Sequence, residues 1–384
     1  MPDHAIAPAG KATGPPTPSA SEPAAFRAEF PVFERLSYLN AGTEGPVPRR
    51  ASDAAHRRLD LETARGRCGQ EYFAELMALR DRLRDAYAGL LGCAPSELAL
   101  TGSTTDGVNT VIAGLDLRPG DEILTTDEEH PGLLAPLGRA RRRYGISVRM
   151  VPFDEIAGQV SPKTRLIACS HVSWVRGRLV DTAALAQTGV PVLLDAAQAI
   201  GAIRVDVRAL GCDFYAASGQ KWLCGPEGSG CLYVRKERLE ELLIPWPGYG
   251  SLADPEQALE LAPAEGAARL DLGFPTGIRS AWCLAAFEVF ANAGWGWVHD
   301  RAAELAATLA HRLTELGLEV LPRGRSTLVS WKAADAKGEV GRFAADRFVV
   351  RSIPAFDVVR ASVGAWSSED ELEALARLAA GGRS

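Results

Sequence analysis

Seven short apolar runs separated by helix-like stretches restrict the fold of this chain more than any other feature. They are SELALTGS, DEILTTDEEH, SVRMVPF, TRLIACSHVSW, VPVLLDAAQ, CDFYAASGQK and SGCLYVRK, in that order. Strands that alternate with helices predict an α/β fold, a mostly parallel sheet covered on both faces, with its ligand crevice at the C-terminal strand edges. Several polar clusters fall at those edges. At 384 residues the chain is too long for one compact core, and one large and one small lobe are expected.

Residues 1–25 are dominated by Ala, Pro, Gly and Ser, a composition that buries too little apolar surface to offset chain entropy, and they read as a disordered tail. Residues 26–44 form an N-terminal segment, with a short helix and an extended YLN piece before a Gly/Pro-rich loop. Residues 45–290 make the large domain. Residues 291–384 make a smaller α+β domain, in which a long helical stretch precedes STLVSWKA, FVVRSIP, DVVRASVGAW and the terminal helix SSEDELEALARLAA.

Lys plus Arg is 42 against 48 for Asp plus Glu, a net charge of −6. That balance argues against a protein that grips nucleic acid or an anionic membrane, and favours a small-molecule substrate. The seven cysteines (68, 93, 169, 212, 224, 231 and 283) are odd in number, scattered and without a CxxC pair. Neither a disulfide framework nor a metal site is expected, and a reducing cytoplasm fits. No apolar stretch approaches a membrane span and no secretory signal is visible, so a cytoplasmic protein is expected.

The segment from Val190 to Val234 is the most informative. One apolar run ends in Asp195, followed by Gln198, and the next ends in Ser218, Gly219, Gln220 and Lys221. Adjacent strands would deliver a carboxylate and an amine to one crevice, the arrangement that pyridoxal phosphate (PLP) requires. Lysine forms the Schiff base, and the acid keeps the pyridine nitrogen protonated. Upstream, Ser103, Thr104 and Thr105 precede a helix expected to begin near Asp106. They are either a phosphate cradle or simple helix caps. His130 opens another helix and either stacks on a cofactor ring or caps. His171 is similarly ambiguous, and Trp174 either flanks the pocket or packs. Arg360, in an alternating strand, either holds a substrate carboxylate by two parallel hydrogen bonds or lies exposed on an edge. Arg351 has the same two readings, and Arg139 to Arg143 read as a solvated helix face.

These segments, in this order, resemble the class V aminotransferase family of fold-type I PLP enzymes, which includes cysteine desulfurases, cysteine/cystine lyases and isopenicillin N epimerase-like proteins. The most specific piece is DAAQ (Asp195 to Gln198) followed by D-F-Y-x-x-S-G-x-K (Asp213 to Lys221). The resemblance implies that Lys221 carries the Schiff base, Asp195 partners the pyridine nitrogen, Gln198 bonds the cofactor phenolate and His130 stacks on the ring. It assigns Thr104, Thr105 and Ser218 to the phosphate, Arg360 to the substrate carboxylate, and Asn40, Ala41, Gly42 and Thr43 to a loop lining the pocket. It also implies a homodimer with shared active sites, for which Thr276 is a displaced candidate for the partner-chain phosphate contact.

There are departures. Gln220 stands where desulfurases commonly have a histidine, and it still hydrogen-bonds a phosphate but carries no charge. Trp174 stands where an asparagine is often found. No cysteine occurs between Trp331 and Arg360, where a desulfurase carries its nucleophile. The first expectation is therefore a PLP-dependent lyase that cleaves a carbon–sulfur bond of an amino acid by β-elimination, close to the cysteine/cystine lyase branch. Transamination and racemisation or epimerisation are the alternatives, then desulfuration through Cys224 or Cys231, and last a non-enzymatic scaffold.

Overall fold

The computed structural model describes residues 22–273 and 276–381. Residues 1–21 of the expected tail lie outside them. Residues 22–25 belong instead to helix α1 (Glu22–Ala28). That helix is anchored by Phe26, whose ring meets those of Phe30, Trp297 and Phe290 at 5.3, 5.4 and 5.7 Å. Burying one such aromatic contributes about 1.5–3 kcal/mol, which a composition count dominated by Ala and Pro does not register.

After β1 (Ser37–Tyr38), helices α2 (Arg49–Arg65) and α3 (Gly69–Leu91) lead into the central sheet. Its strands are β2 (Leu98–Thr101), β3 (Glu122–Thr126), β4 (Ser147–Val151), β5 (Thr164–Ser170), β6 (Val192–Asp195), β7 (Phe214–Ser218) and β8 (Gly230–Val234). They are ordered β2-β8-β7-β6-β5-β3-β4. Only β8 runs against its neighbours. The connecting helices are α4 (Thr104–Gly114), α5 (Pro131–Tyr144), α6 (Thr182–Gln187) and α7 (Val207–Leu210).

Both faces of the sheet are buried because successive side chains point to opposite sides. Ile167, Cys169, Val192, Leu194, Tyr215 and Ala217 join one core with residues of α3, α6 and α7. The intervening Leu166, Ala168, Leu193, Phe214 and Ala216 join another with α4 and α5.

Helix α8 (Gly277–Ala293) runs past residue 290 to a break at Gly294, where φ is 87°. Beyond it lie α9 (Trp295–Glu315), β9 (Leu328–Lys332), α10 (Ala336–Ala345), β10 (Phe348–Val349), β11 (Arg351–Ile353), β12 (Val358–Ser362) and α11 (Glu369–Ala380). Strands β11, β12 and β9 form an antiparallel sheet with β12 in the middle. The N-terminal segment joins this lobe: β1 pairs in parallel with β10, and Asn40 bridges to Ser362. The loop after Asn40 is thereby held against the end of β12.

Two local readings change. The helix expected near Asp106 begins at Thr104, because the Ser103 side chain accepts the Asp106 N–H and caps it. The arginine run of α5 is exposed at 139 and 141–143. No helix among the described residues is long and apolar enough to cross a membrane.

Candidate active site

The chain passes from β3 outward to β4, then returns to the other side of β3 to form β5 and continues through β6 and β7. Connections leaving β3 and β5 therefore diverge, which opens a crevice at their C-terminal ends. His130 follows β3, Trp174 follows β5, Asp195 ends β6 and Lys221 follows β7. Parallel chain direction puts these four residues at one edge of the sheet, and strand order makes them neighbours.

Asp195 is 6 % exposed. Its Oδ1 accepts the Ala197 N–H at 2.9 Å. Burial raises its carboxyl above the usual range, and the nearby Lys221 charge opposes that rise. Burial lowers the Lys221 amine to about 8; Asp195 pulls it back up and Arg360 pushes it down. The amine is therefore much closer to neutral at physiological pH than an ordinary lysine.

The His130 ring caps α5, its Nδ1 accepting the Gly132 N–H at 3.0 Å. This bond fixes the tautomer with its proton on Nε2. Burial, then Lys221, Arg351 and Arg360, lower the ring to about 4. It is thus neutral at physiological pH. Trp174 meets it edge to face, 4.9 Å between centroids.

At the other end of the crevice, Ser103 is committed to capping α4. Thr104 N–H donates to Ser218 Oγ at 3.0 Å, and the two hydroxyls are 2.6 Å apart. An added Cβ on Gly132 would meet Thr105 Oγ1 at 2.5 Å, so Thr105 faces the start of α5. The α4 N-terminus, flanked by these hydroxyls, suits a phosphate dianion. Gln198 bridges the crevice floor, donating from Nε2 to the Gly42 carbonyl at 2.7 Å and accepting from Trp222 Nε1 at 3.1 Å. One Nε2 hydrogen remains for a phenolate.

The two arginines differ in setting: Arg351 is half-buried on the edge strand β11. Arg360 is 0 % exposed on the central strand of its sheet, not on an edge. Its Nη1 donates to the Trp174 carbonyl at 2.6 Å. Burial lowers its guanidinium to about 9, and Arg351 adds to the effect. Arg351 stands directly opposite Arg360 in the β11–β12 register. It donates to Thr43 Oγ1 at 3.0 Å and lies 5.8 Å over the Trp174 ring. Like charges opposite each other on a strand pair are destabilising, and an anion bound between them would relieve that cost. Arg360 Nε and Nη2, Gln220 Oε1 and Ser362 Oγ are buried without a partner among the described residues. Unpaired buried polar groups of this kind are costly, and a carboxylate at Arg360 would satisfy two donors at once.

The ambiguous His171 and the expected Thr276 stand elsewhere. His171 is core, its Nδ1 2.9 Å from the Tyr215 hydroxyl. Thr276 is exposed at the start of α8, in a separate groove with Tyr72, Glu227 and Arg279. Cys224 and Cys231 are buried, and burial pushes both thiols well up.

Three neighbours escaped the sequence reading. Ser362 lies two residues after Arg360 on an alternating strand and so shares its face, a signal that was available. Glu44 follows the expected loop and raises the Lys221 amine. Glu129 precedes His130 and is buried. In sequence, EEH looks like solvated charge.

Gly42 has no room for a side chain. An added Cβ would meet Ser362 Oγ at 2.7 Å, Gln198 Oε1 at 2.9 Å and Arg360 Nη2 at 3.0 Å. Gly42→Ala is expected to lower stability by about 1–3 kcal/mol through overpacking. Urea unfolding measures it, and an unchanged midpoint refutes the close approach.

Together the parallel sheet, the crevice and the second lobe are the fold-type I architecture of PLP enzymes. Residues 38–338 match the family Aminotransferase class-V, and the chain belongs to that family. A probable cysteine desulfurase of Methanothermobacter thermautotrophicus is 33% identical over 248 residues, covering 59% of this chain and 60% of the relative. Matches of this kind thus span about three-fifths of the curated relatives. Among solved structures, a lysine-to-alanine variant of C-DES with glycine covalently linked to its PLP cofactor superposes with a TM-score of 0.86 and 28% identity, covering 92% of this chain and 98% of that one. The cystine C-S lyase C-DES bound to its product cysteine persulfide gives 0.85 and 28%, covering 91% and 99%.

Proposed function

We propose that the protein is a PLP-dependent carbon–sulfur lyase that acts by β-elimination on a sulfur amino acid bearing a second anionic group, such as cystine. The observation that carries this reading is the Arg351–Arg360 pair facing the crevice that holds Lys221 and Asp195. Ser218, Thr104, Thr105 and the α4 N-terminus would hold the phosphate, and Gln220 would add a donor. Asp195 would keep a proton on the ring nitrogen, Gln198 would donate to the phenolate and His130 would pack on the ring. The cofactor, when bound, supplies an electrophilic ring that accepts the electron pair released at the substrate Cα.

Arg360 grips the α-carboxylate by two parallel hydrogen bonds and Arg351 receives the distal anion. Asn40, Ala41, Gly42 and Thr43 close the pocket from the N-terminal side, and Trp174 walls the leaving-group side. Lys221 Nζ, near neutrality, takes the Cα proton as general base. The Cβ–S bond then breaks, sulfur leaves with its electron pair, and the Lys221 ammonium is the proton donor at hand. The released three-carbon product hydrolyses to pyruvate and ammonia. Three features favour elimination over desulfuration: Cys224 and Cys231 are buried, their thiols are raised, and no cysteine lies between Trp331 and Arg360.

We also propose a homodimer with shared active sites, which the family resemblance implies; Thr276, exposed on its own chain, is available to a partner subunit. A cytoplasmic location rests on the cysteine pattern.

Incubation with cystine or cysteine S-conjugates is expected to release pyruvate without any added keto acid. An absolute requirement for a keto acid identifies a transaminase instead. Arg351→Met is expected to raise KM for cystine at least tenfold more than KM for cysteine, because a charge-assisted contact is worth about 1.5–3 kcal/mol. Equal effects on both substrates rule out a distal anion site.

A further inference from the structure

The parallel ladder between β3 and β5 stops early. Register pairs run from Glu122↔Thr164 to Leu124↔Ile167, whereas β3 stays paired with β4 through Thr126↔Val151. Beyond Leu124 no further register pair joins the two strands, at the end of the sheet where the crevice lies.

This early end leaves an unmet donor. Ile167 and His171 direct their N–H groups to the β6 side, bonding the carbonyls of Pro191 and Asp195. By strand alternation, Ser170 N–H points toward β3, where no backbone carbonyl remains. The Glu129 carboxyl takes that place. Its two oxygens each lie 3.0 Å from Ser170 N, and it bonds the Ser170 and Thr126 hydroxyls, both at 2.5 Å.

We propose that Glu129 is a positioning residue for the cofactor site: its carboxyl substitutes for the missing rungs between β3 and β5, tying the two strand ends together and thereby setting His130 and Asp195. The link to both residues is short. His130 is the next residue in the chain, and Ser170 is the register partner of Asp195. This inference rests on the PLP reading for its consequence and on backbone geometry for its cause.

The group is acceptor-rich yet not obligatorily charged. Burial pushes it up to about 7, the Ser170 and Thr126 bonds oppose the rise, and Asp195 adds to it. The hydroxyls of Ser170 and Thr126 either donate or accept. A neutral amide of the same shape can therefore bridge the strands, whereas a methyl group cannot.

The test compares wild type, Glu129→Gln and Glu129→Ala. In the cofactor-free proteins, hydrogen exchange at the Ser170 amide is expected to stay slow in wild type and Glu129→Gln and to accelerate at least tenfold in Glu129→Ala. PLP titrated into the same proteins is expected to bind Glu129→Ala at least tenfold more weakly, with loss of the cofactor's visible circular dichroism, while Glu129→Gln stays within threefold of wild type. Rescue by the amide separates positioning from general destabilisation. Wild-type exchange and affinity in Glu129→Ala overturn the proposal, as does a folded Glu129→Gln protein that behaves like Glu129→Ala. Should wild type itself bind no PLP, the functional reading fails, and the exchange comparison still decides whether Glu129 bridges the strands.

Discussion

Replacing Lys221 with alanine is expected to leave a folded protein whose turnover falls by about 10⁴-fold, the upper end for loss of a positioned general base. The amine stands where Asp195, Arg360, Arg351 and Glu44 all act on it. Burial favours its neutral form, the form that accepts a proton. The pH dependence follows with a definite sign. Because the amine is lowered to about 8, the wild-type rate is expected to rise with pH through that region and level off above it. His130, at about 4, adds no inflection in the same window. Lys221→Arg serves as a control that keeps a cation of similar length but remains protonated, and it is expected to be as inactive as alanine. Borohydride treatment followed by digestion should place the cofactor on the Lys221 peptide in wild type. Wild-type turnover in Lys221→Ala, or an adduct on another residue, removes Lys221 from the mechanism.

Replacing Arg360 with methionine is expected to move stability and function in opposite directions. The guanidinium is fully buried, its bonded partner is a backbone carbonyl, Nε and Nη2 have none among the described residues, and Arg351 stands directly opposite. A buried cation of this kind opposes folding, and an apolar side chain of similar volume is expected to stabilise the cofactor-free protein by about 1–3 kcal/mol. Substrate binding suffers by more. Leaving a buried α-carboxylate unpaired costs about 2–5 kcal/mol, so kcat/KM is expected to fall by about 30-fold to about 5,000-fold. Thermal unfolding and steady-state kinetics on the same preparation read both effects. A methionine variant that is destabilised and kinetically normal contradicts the assignment.

Residue periodicity made the sheet legible. Runs such as VLLD and FYAAS are too short for helices and too apolar for loops, so by themselves they specify buried strands. The strand ends carrying Asp195 and Lys221 were legible for the same reason, since polar residues that abruptly follow a buried run must lie at an edge of the sheet. The start of α4 was misplaced by two residues because Ser103, Thr104 and Thr105 are chemically interchangeable as caps. Only the observed bond from Asp106 N–H to Ser103 Oγ distinguishes them. The reach of the N-terminal segment was misjudged because four residues of ordinary composition precede one anchoring ring, Phe26.

Arg351 and Arg360 mark the boundary between what sequence determined and what tertiary structure decided. Their separate segments establish an alternating strand and a strand-like VVR, and nothing local says that the two guanidiniums face each other across an antiparallel pair. Glu129 is a stronger case. Its neighbours in sequence are charged and its role arises from an N–H on another strand, a partner that exists only because β3 and β5 part company at Leu124. Local order of apolar and polar residues determined which segments became strands and which side chains stood at their ends. The juxtaposition of those ends, and hence the charge felt by each titrating group, was decided by strand order and register, because Coulomb and hydrogen-bond energies depend on separations of a few ångströms between residues far apart in the chain.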